Sequence, residues 1–154
     1  MPTWPGVKVT PMADSFLLDT SALMALTDAE PGSDRVRELV AQAIAGDIAL
    51  HGCFVSLTEV QYSKTYDAGP ALARQIIADL RRLPISWLHS DAASCAVAAE
   101  WKASHKISFA DAFVVAAAIR VNAIVVHKDP EMAKLGGLIR QEALPFRGLP
   151  ASAS

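Results

Sequence analysis

The chain has 154 residues, 52% of them hydrophobic and 19% charged, which suits a single domain with a sizeable core and excludes disordered and fibrous proteins. Its net charge is −2, whereas proteins that hold duplex DNA by its phosphates alone are strongly basic. The mean hydropathy is +0.28, but the longest apolar stretch, 109–126, contains Asp111 and Arg120, so we expect no membrane-spanning helix.

Short apolar runs alternate with stretches of helical periodicity along the chain. In the first half we predict a strand at 15–18, a short helix to residue 24, a helix capped by Ser33 and ended by Gly46, a strand at 48–50 and a helix over 54–66. In the second half we predict helices at 70–82, 91–104 and 108–121, and strands at 85–88, 123–127 and 144–146. The buried face of the 70–82 helix should carry Leu72, Ile76 and Leu80, which are four residues apart.

The order of these elements predicts the fold class. Strands that alternate with helices imply parallel pairing, so we expect a three-layer α/β/α sandwich around a mainly parallel sheet of four or five strands. The domain should span residues 15–146, between an N-terminal tail (1–14) and a C-terminal tail (147–154) without periodicity. Asp19 interrupts the first apolar segment, so we expect no secretory signal. Cys53 and Cys95 fit no metal or redox spacing, and we expect two buried, reduced thiols in a cytoplasmic protein.

Four acidic residues are candidate functional residues, although each also has a purely structural explanation. Asp19 can cap the helix that follows it. Asp111 lies three residues after Ser108, in a variant of the capping box. Asp129 is followed by a proline, as an N-cap often is. Glu59 can be a solvated charge on a helix face.

Considered together, the same acids favour a metal site. Asp19 ends the first strand and Asp129 follows the fourth, and the carboxyl ends of parallel strands meet at one edge of a sheet. Glu59 and Asp111 have apolar neighbours, where a carboxylate is costly unless something compensates it. With no Lys or Arg nearby in the sequence to pair with Asp19 or Asp111, a divalent cation is the natural compensation, and Mg²⁺ and Mn²⁺ prefer carboxylate oxygens.

Four segments, LLDTSALMAL, TEVQYS, SFADAFVVAAA and VVHKDPEM, resemble the PIN-domain ribonucleases, particularly VapC-type toxins of type II toxin–antitoxin systems. The resemblance covers about residues 15–146. It implies a catalytic and metal-binding set that consists of Asp19, Glu59, Asp111 and Asp129. The cofactor would be one or two Mg²⁺ or Mn²⁺ ions. Asp129 would bind or orient the second ion.

The same resemblance implies supporting roles for two serines. Ser21 would help to order the first carboxylate or a nearby water, and Ser108 would either do similar work or only cap its helix. The chain departs from the usual pattern at two positions, because His127 replaces a small hydroxyl residue and Lys128 replaces a small residue. His127 could contact phosphate, transfer a proton or be structural only.

The reaction that the resemblance implies is metal-assisted hydrolysis of single-stranded or looped RNA. The chain offers no arrangement of residues typical of covalent catalysis, so a covalent mechanism is not expected. The implied partners are a small antitoxin, whose C-terminal segment would occupy the acidic groove, and a second copy of the chain. Candidate interface residues, which core packing would explain equally well, are Trp87, Trp101, Val36, Leu39 and Val40. Basic residues that could line the approach of RNA are Arg35, Arg37, Lys64, Lys102, Lys106 and Lys128.

The alternative from another class of protein is a PIN-like domain that does not cut and serves as an RNA-binding or assembly module. Retention of all four acids argues against it, whereas the departures at residues 127 and 128 favour it.

Overall fold

The computed structural model describes residues 13–145, so most of both predicted tails and the last residue of the predicted domain lie outside the described residues. The described strands are β1 (Ser15–Leu18), β2 (Ala49–Cys53), β3 (Ser86–Leu88), β4 (Ile124–His127) and β5 (Gln141–Ala143). The helices are α1 (Thr20–Thr27), α2 (Ser33–Ala45), α3 (Phe54–Ala68), α4 (Pro70–Arg82), α5 (Ala92–Ser104), α6 (Phe109–Val121) and α7 (Pro130–Ala133), with a 3-10 turn at Gly136–Leu138.

The strands form one sheet in the order β3-β2-β1-β4-β5, and every neighbouring pair is parallel. The chain runs outward from β1 through β2 to β3, and then returns to the other side of β1 to add β4 and β5. The change of direction between β1 and β4 leaves a crevice at their carboxyl ends, where ligands bind in open α/β sheets. The predicted α/β class with a parallel sheet of up to five strands is confirmed.

Alternation along β1 separates two hydrophobic cores, because successive side chains of a strand point to opposite faces. Phe16 and Leu18 belong to a core that includes residues of α1, α2, α3 and α4. Leu17 belongs to a second core, built mainly with α5, α6 and α7. The sheet therefore lies between two layers of helices, as the sequence predicts. No helix within residues 13–145 is long and apolar enough to cross a membrane.

Two predicted features of the second half of the chain are wrong in detail. The last described strand is Gln141–Ala143 and ends before residue 144, where the predicted strand begins, while residue 146 lies outside the described residues. Its polar side chains are satisfied by partners elsewhere, and it carries no apolar run. On α4 the buried side chains are Ala73, Ile77 and Leu80, whereas Leu72 is 49% exposed. The helical period of 3.6 makes the spacing 73, 77, 80 a better stripe than a strict four-residue repeat.

Four further expectations need correction. Gly32, at a φ of 96° in the left-handed region, caps α2, while Ser33 is already helical and buried. α1 continues to Thr27 rather than ending at residue 24. Cys53 is buried, but Cys95 is exposed on α5. Among the proposed interface residues, Val36 and Leu39 are fully buried in the first core and are not available to a partner.

Candidate functional site

An open pocket of about 460 Å³ lies at the carboxyl ends of β1 and β4. It contains every residue that the sequence proposes for the site, and the side chains that line it are those of Asp19, Thr20, Ser21, Glu59, Lys106, Ile107, Ser108, Asp111, Lys128, Asp129, Pro130 and Glu131. Residues from four separate parts of the chain therefore share one cavity. The catalytic and metal-binding roles of these residues remain predictions.

Asp19 is the most buried acid of the pocket, with 3% of its surface exposed. It follows β1 directly, and its backbone N–H donates to the Val126 carbonyl of β4. Its Oδ1 accepts hydrogen bonds from the Ala22 N–H (2.9 Å) and the Ser21 hydroxyl (2.6 Å). Burial raises the pKa of Asp19 to about 7, and the charges of neighbouring acids add to this effect, while the two hydrogen bonds only partly oppose it.

Glu59 reaches the pocket from α3 and is held by a residue of α1 that the sequence did not single out. The Thr20 hydroxyl donates to Glu59 Oε1 at 2.6 Å and lies 3.0 Å from the hydroxyl of the buried Ser56. Thr20 and Ser21, the two hydroxyl residues after the first acid, therefore each bind a different carboxylate. Proximity to an acid at a strand end was the only indication in the sequence.

Asp111 and Asp129 approach the pocket from the first turn of α6 and the cap of α7. Ser108 caps α6 by accepting from the Asp111 N–H (3.0 Å), and Asp129 Oδ1 accepts from the Glu131 N–H (2.9 Å). The pKa of Asp111 is raised to about 6, chiefly by partial burial. The charge of Asp129 contributes more to this increase than the charge of Glu59 does. The hydrogen bonds that cap α6 and α7 are therefore present, and Asp111 and Asp129 nevertheless line the same pocket.

None of the four carboxylates forms an ion pair with a Lys, Arg or His side chain of residues 13–145. Of the basic residues proposed to line the approach, Lys106 and Lys128 line the pocket. Lys106 is exposed, while Lys128 is directed to Glu30 at 3.2 Å. The pocket is therefore strongly negative, with one pocket lysine committed to another acid.

The other proposed basic residues serve different purposes or lie outside the pocket. Lys64 is buried in an ion pair with Asp28, which removes it from the solvent-facing set. Arg35 binds Glu142 of β5 at 2.9 Å, and Arg37 forms an exposed pair with its helix neighbour. Lys102 is exposed on α5, outside the residues that line the pocket.

The donor chemistry of the pocket fits a hard divalent cation. Within the described part of the chain, no group of three or more Asp, Glu, His or Cys side chains is arranged to hold a metal ion directly. Mg²⁺, however, is usually held by one or two carboxylates and several waters rather than by an all-protein cage. An open cavity with unpaired carboxylates, two of them with raised pKa values, meets that requirement.

Comparison with known proteins identifies the family. A PIN domain profile matches residues 16–138. No curated protein sequence matches the chain. Similar solved structures include VapBC2 of Rickettsia felis bound to a promoter DNA fragment, with 15% identity, a TM-score of 0.69 and coverage of 85% of this chain and 99% of that one. DNA-bound VapBC of Salmonella typhimurium has 18% identity, a TM-score of 0.66 and coverage of 86% and 98%.

A third similar structure is VapC20 of Mycobacterium tuberculosis, described as a toxin that cleaves the sarcin-ricin loop, with 20% identity, a TM-score of 0.61 and coverage of 79% and 95%. At these identities the likeness establishes the fold, whereas the profile match extends over most of the chain. The chain belongs to the PIN domain family.

Proposed function

We propose that this PIN domain is a metal-dependent endoribonuclease, the toxin of a toxin–antitoxin pair that inhibits translation by cutting RNA. The observation that carries the proposal is a pocket whose four carboxylates have no protein cation among the described residues. Carboxylates in such a setting are costly, because burial and mutual repulsion both oppose their ionisation. A pocket of this kind suits a positively charged ligand.

The chain's own residues would prepare the reaction. A divalent ion at these carboxylates would activate a water and neutralise charge on the phosphoryl oxygens. Asp19 and Asp111 would be its principal protein ligands, and Asp129 would bind or orient a second ion. Ser21 orients Asp19 by its hydrogen bond. Thr20 likewise fixes Glu59, which would bind the ion or a water beside it.

Covalent catalysis has little support in the pocket. Cys53 lies in the core rather than among the residues that line the pocket, and burial raises the pKa of its thiol to about 11, so it is not a ready nucleophile. His127, the histidine nearest to the fourth acid, is fully buried and has both ring nitrogens in hydrogen bonds. Hydrolysis by an activated water is the mechanism that these side chains favour.

RNA and a small antitoxin are the proposed macromolecular partners. Similar solved structures include a member of the VapBC family of toxin–antitoxin systems and VapC20, which is described as a toxin that cleaves the sarcin-ricin loop. Exposed Lys106 at the rim of the pocket could contact a phosphate of the RNA. The acidic pocket would equally accept a basic side chain from the C-terminal segment of an antitoxin. We also expect a homodimer in the cytoplasm.

The inert RNA-binding or assembly module remains the second candidate. It would need a pocket in which the carboxylates are neutralised by the protein or serve only as caps. Asp19 and Asp129 do cap helices, but the lack of a protein cation at any of the four carboxylates favours the nuclease.

The test is cleavage of a mixed RNA pool by the purified protein with Mg²⁺ or Mn²⁺, compared with EDTA and with the Asp19→Asn/Asp111→Asn double variant. We expect cleavage to require the metal and to fall at least about a hundredfold in the variant, because even partners that only orient metal ligands contribute about 10–100-fold. The matched control is Asp34→Asn/Asp79→Asn, which removes two exposed acids and should cut normally. Failure to cleave RNA and to bind Mn²⁺ would instead establish the inert module.

A further inference from the structure

His127, the last residue of β4, is fully buried, and both of its ring nitrogens have partners. Nδ1 lies 3.1 Å from the backbone nitrogen of Asp129, and Nε2 lies 2.7 Å from Gln141 Oε1. A backbone N–H only donates, so Nδ1 accepts and carries no proton. Nε2 therefore carries the proton and donates it to the amide oxygen. These two contacts restrict the ring to one tautomer.

Gln141 of β5 fixes the other side of the ring. Its amide nitrogen donates to the Gly136 carbonyl at 2.8 Å, in the turn that precedes β5. Because that carbonyl only accepts, the amide cannot be flipped without losing this bond, and its oxygen must face His127. Donation therefore runs in one direction along this network. It begins at the Asp129 N–H, passes through His127 and then Gln141, and ends at the Gly136 carbonyl.

The same network reaches the turn that presents the fourth acid to the pocket. Two successive backbone N–H groups of this turn donate to side chains, one from a distant part of the chain and one from the end of β4. The Lys128 N–H donates to Ser21 Oγ at 2.7 Å, and the Asp129 N–H donates to His127 Nδ1. Ser21 in turn donates to Asp19. The backbone of the β4–α7 turn is thus held from the side of the first acid and from the side of β5.

We propose that His127 and Gln141 are a positioning pair for Asp129: the imidazole, aligned by the glutamine, sets the backbone from which the fourth carboxylate enters the pocket. This inference rests on the proposed function, in which Asp129 helps to hold a divalent ion. His127 does not line the pocket, so it acts through Asp129 rather than on substrate.

Two substitutions of one residue separate positioning from simple core packing. In His127→Asn the side-chain amide can occupy the place of Nδ1 and accept from the Asp129 N–H, but it does not reach Gln141. In His127→Gln the amide can occupy the place of Nε2 and keep the contact with Gln141, while the Asp129 N–H loses its acceptor. Both replace a buried ring by a smaller polar group, so a purely structural role predicts similar behaviour.

The first measurement is the affinity for Mn²⁺ in the absence of RNA. The metal is titrated into the protein, and its binding is monitored by electron paramagnetic resonance. We expect about tenfold weaker binding or more in His127→Gln, the size typical of lost metal-site support, and binding close to that of the unsubstituted protein in His127→Asn. Equal affinities in the two variants, whether both normal or both reduced, would overturn the positioning role.

The second measurement needs no metal. Hydrogen exchange of the Asp129 amide, monitored by NMR, should be slow in the unsubstituted protein and in His127→Asn, and fast in His127→Gln. If the unsubstituted protein binds no Mn²⁺, the proposed function fails, and this exchange pattern alone upholds or overturns the positioning of Asp129. Should a His127 variant fail to fold, Gln141→Leu leaves the ring and its Nδ1 in place but removes the partner of Nε2. The Asp129 amide should then exchange faster than in the unsubstituted protein, and an unchanged exchange rate would overturn the pair.

Discussion

The turn after α1 and the pocket at the carboxyl edge of the sheet treat their carboxylates in opposite ways. At the turn, Asp28 and Glu30 are 38% and 26% exposed in their side chains, and each is paired with a lysine whose side chain is 8% exposed. In the pocket, Asp19 is only 3% exposed and has no cation among the described residues. The fold supplies lysines to acids that water partly solvates and supplies none to the acid that water reaches least. The deficit of positive charge is therefore local to the pocket.

The largest expected loss of stability comes from breaking an ion pair in the turn after α1. Asp28→Asn leaves Lys64 buried without its counter-ion, and we expect a loss of about 3 kcal/mol in unfolding free energy, the low end for a broken buried pair because Asp28 is partly exposed. Urea denaturation measures it. Asp34→Asn, which breaks an exposed pair with Arg37, should cost less than about 1 kcal/mol. Equal losses in the two variants would show that the burial of Lys64 has no consequence.

Removal of the buried acid of the pocket should instead increase the unfolding free energy. Asp19→Asn keeps an acceptor for the Ala22 N–H and removes a buried charge. In EDTA at pH 8 we expect a gain of roughly 2–4 kcal/mol in unfolding free energy, in line with the raised pKa of Asp19. The same variant should lose RNA cleavage, as expected where a site is kept at the expense of stability. A destabilised Asp19→Asn would mean that the acid serves its helix more than the pocket.

The raised pKa values of the pocket acids should also make the unfolding free energy depend on pH. Asp19 and Asp111 have pKa values raised from 3.8 to about 7 and about 6, so between these limits the folded chain holds protons that the unfolded chain has released. The metal-free protein should therefore lose stability as pH rises from about 4 to 7. Because a divalent ion replaces these protons, Mg²⁺ or Mn²⁺ should stabilise it more at pH 8 than at pH 5. Denaturation at four pH values measures both effects, and the Asp19→Asn/Asp111→Asn variant should flatten both.

The smallest expected effect concerns the exposed lysine at the rim of the pocket. If Lys106 contacts a phosphate, Lys106→Ala should weaken RNA binding and lower the slope of log affinity against log salt by about 1. Lys102→Ala, a loss of the same charge from α5 outside the pocket, is the matched control. Binding is best measured in the cleavage-deficient Asp19→Asn background. Identical slopes for the two variants would remove Lys106 from the RNA path.

The parts of the molecule that sequence reasoning predicts are those with a local cause. Asp19 and Asp129 are predictable at one edge of the sheet because each follows an apolar strand. The role of Thr20 is not, since its partner Glu59 lies on a different helix. The position of β5 is missed for the same reason, because Gln141 is satisfied by a histidine of β4 that no local pattern connects to it.

The strand order has a consequence for synthesis of the chain. β1 emerges first from a ribosome, yet the partner that flanks it in the crevice, β4, is made more than a hundred residues later. Asp19 cannot bind the Val126 carbonyl, nor meet Asp129, until these two residues have been translated and have left the ribosome. A nascent or prematurely terminated chain therefore lacks the assembled pocket. For a protein proposed to cut RNA, this delay means that the pocket forms only after β4 and the turn that follows it have been made.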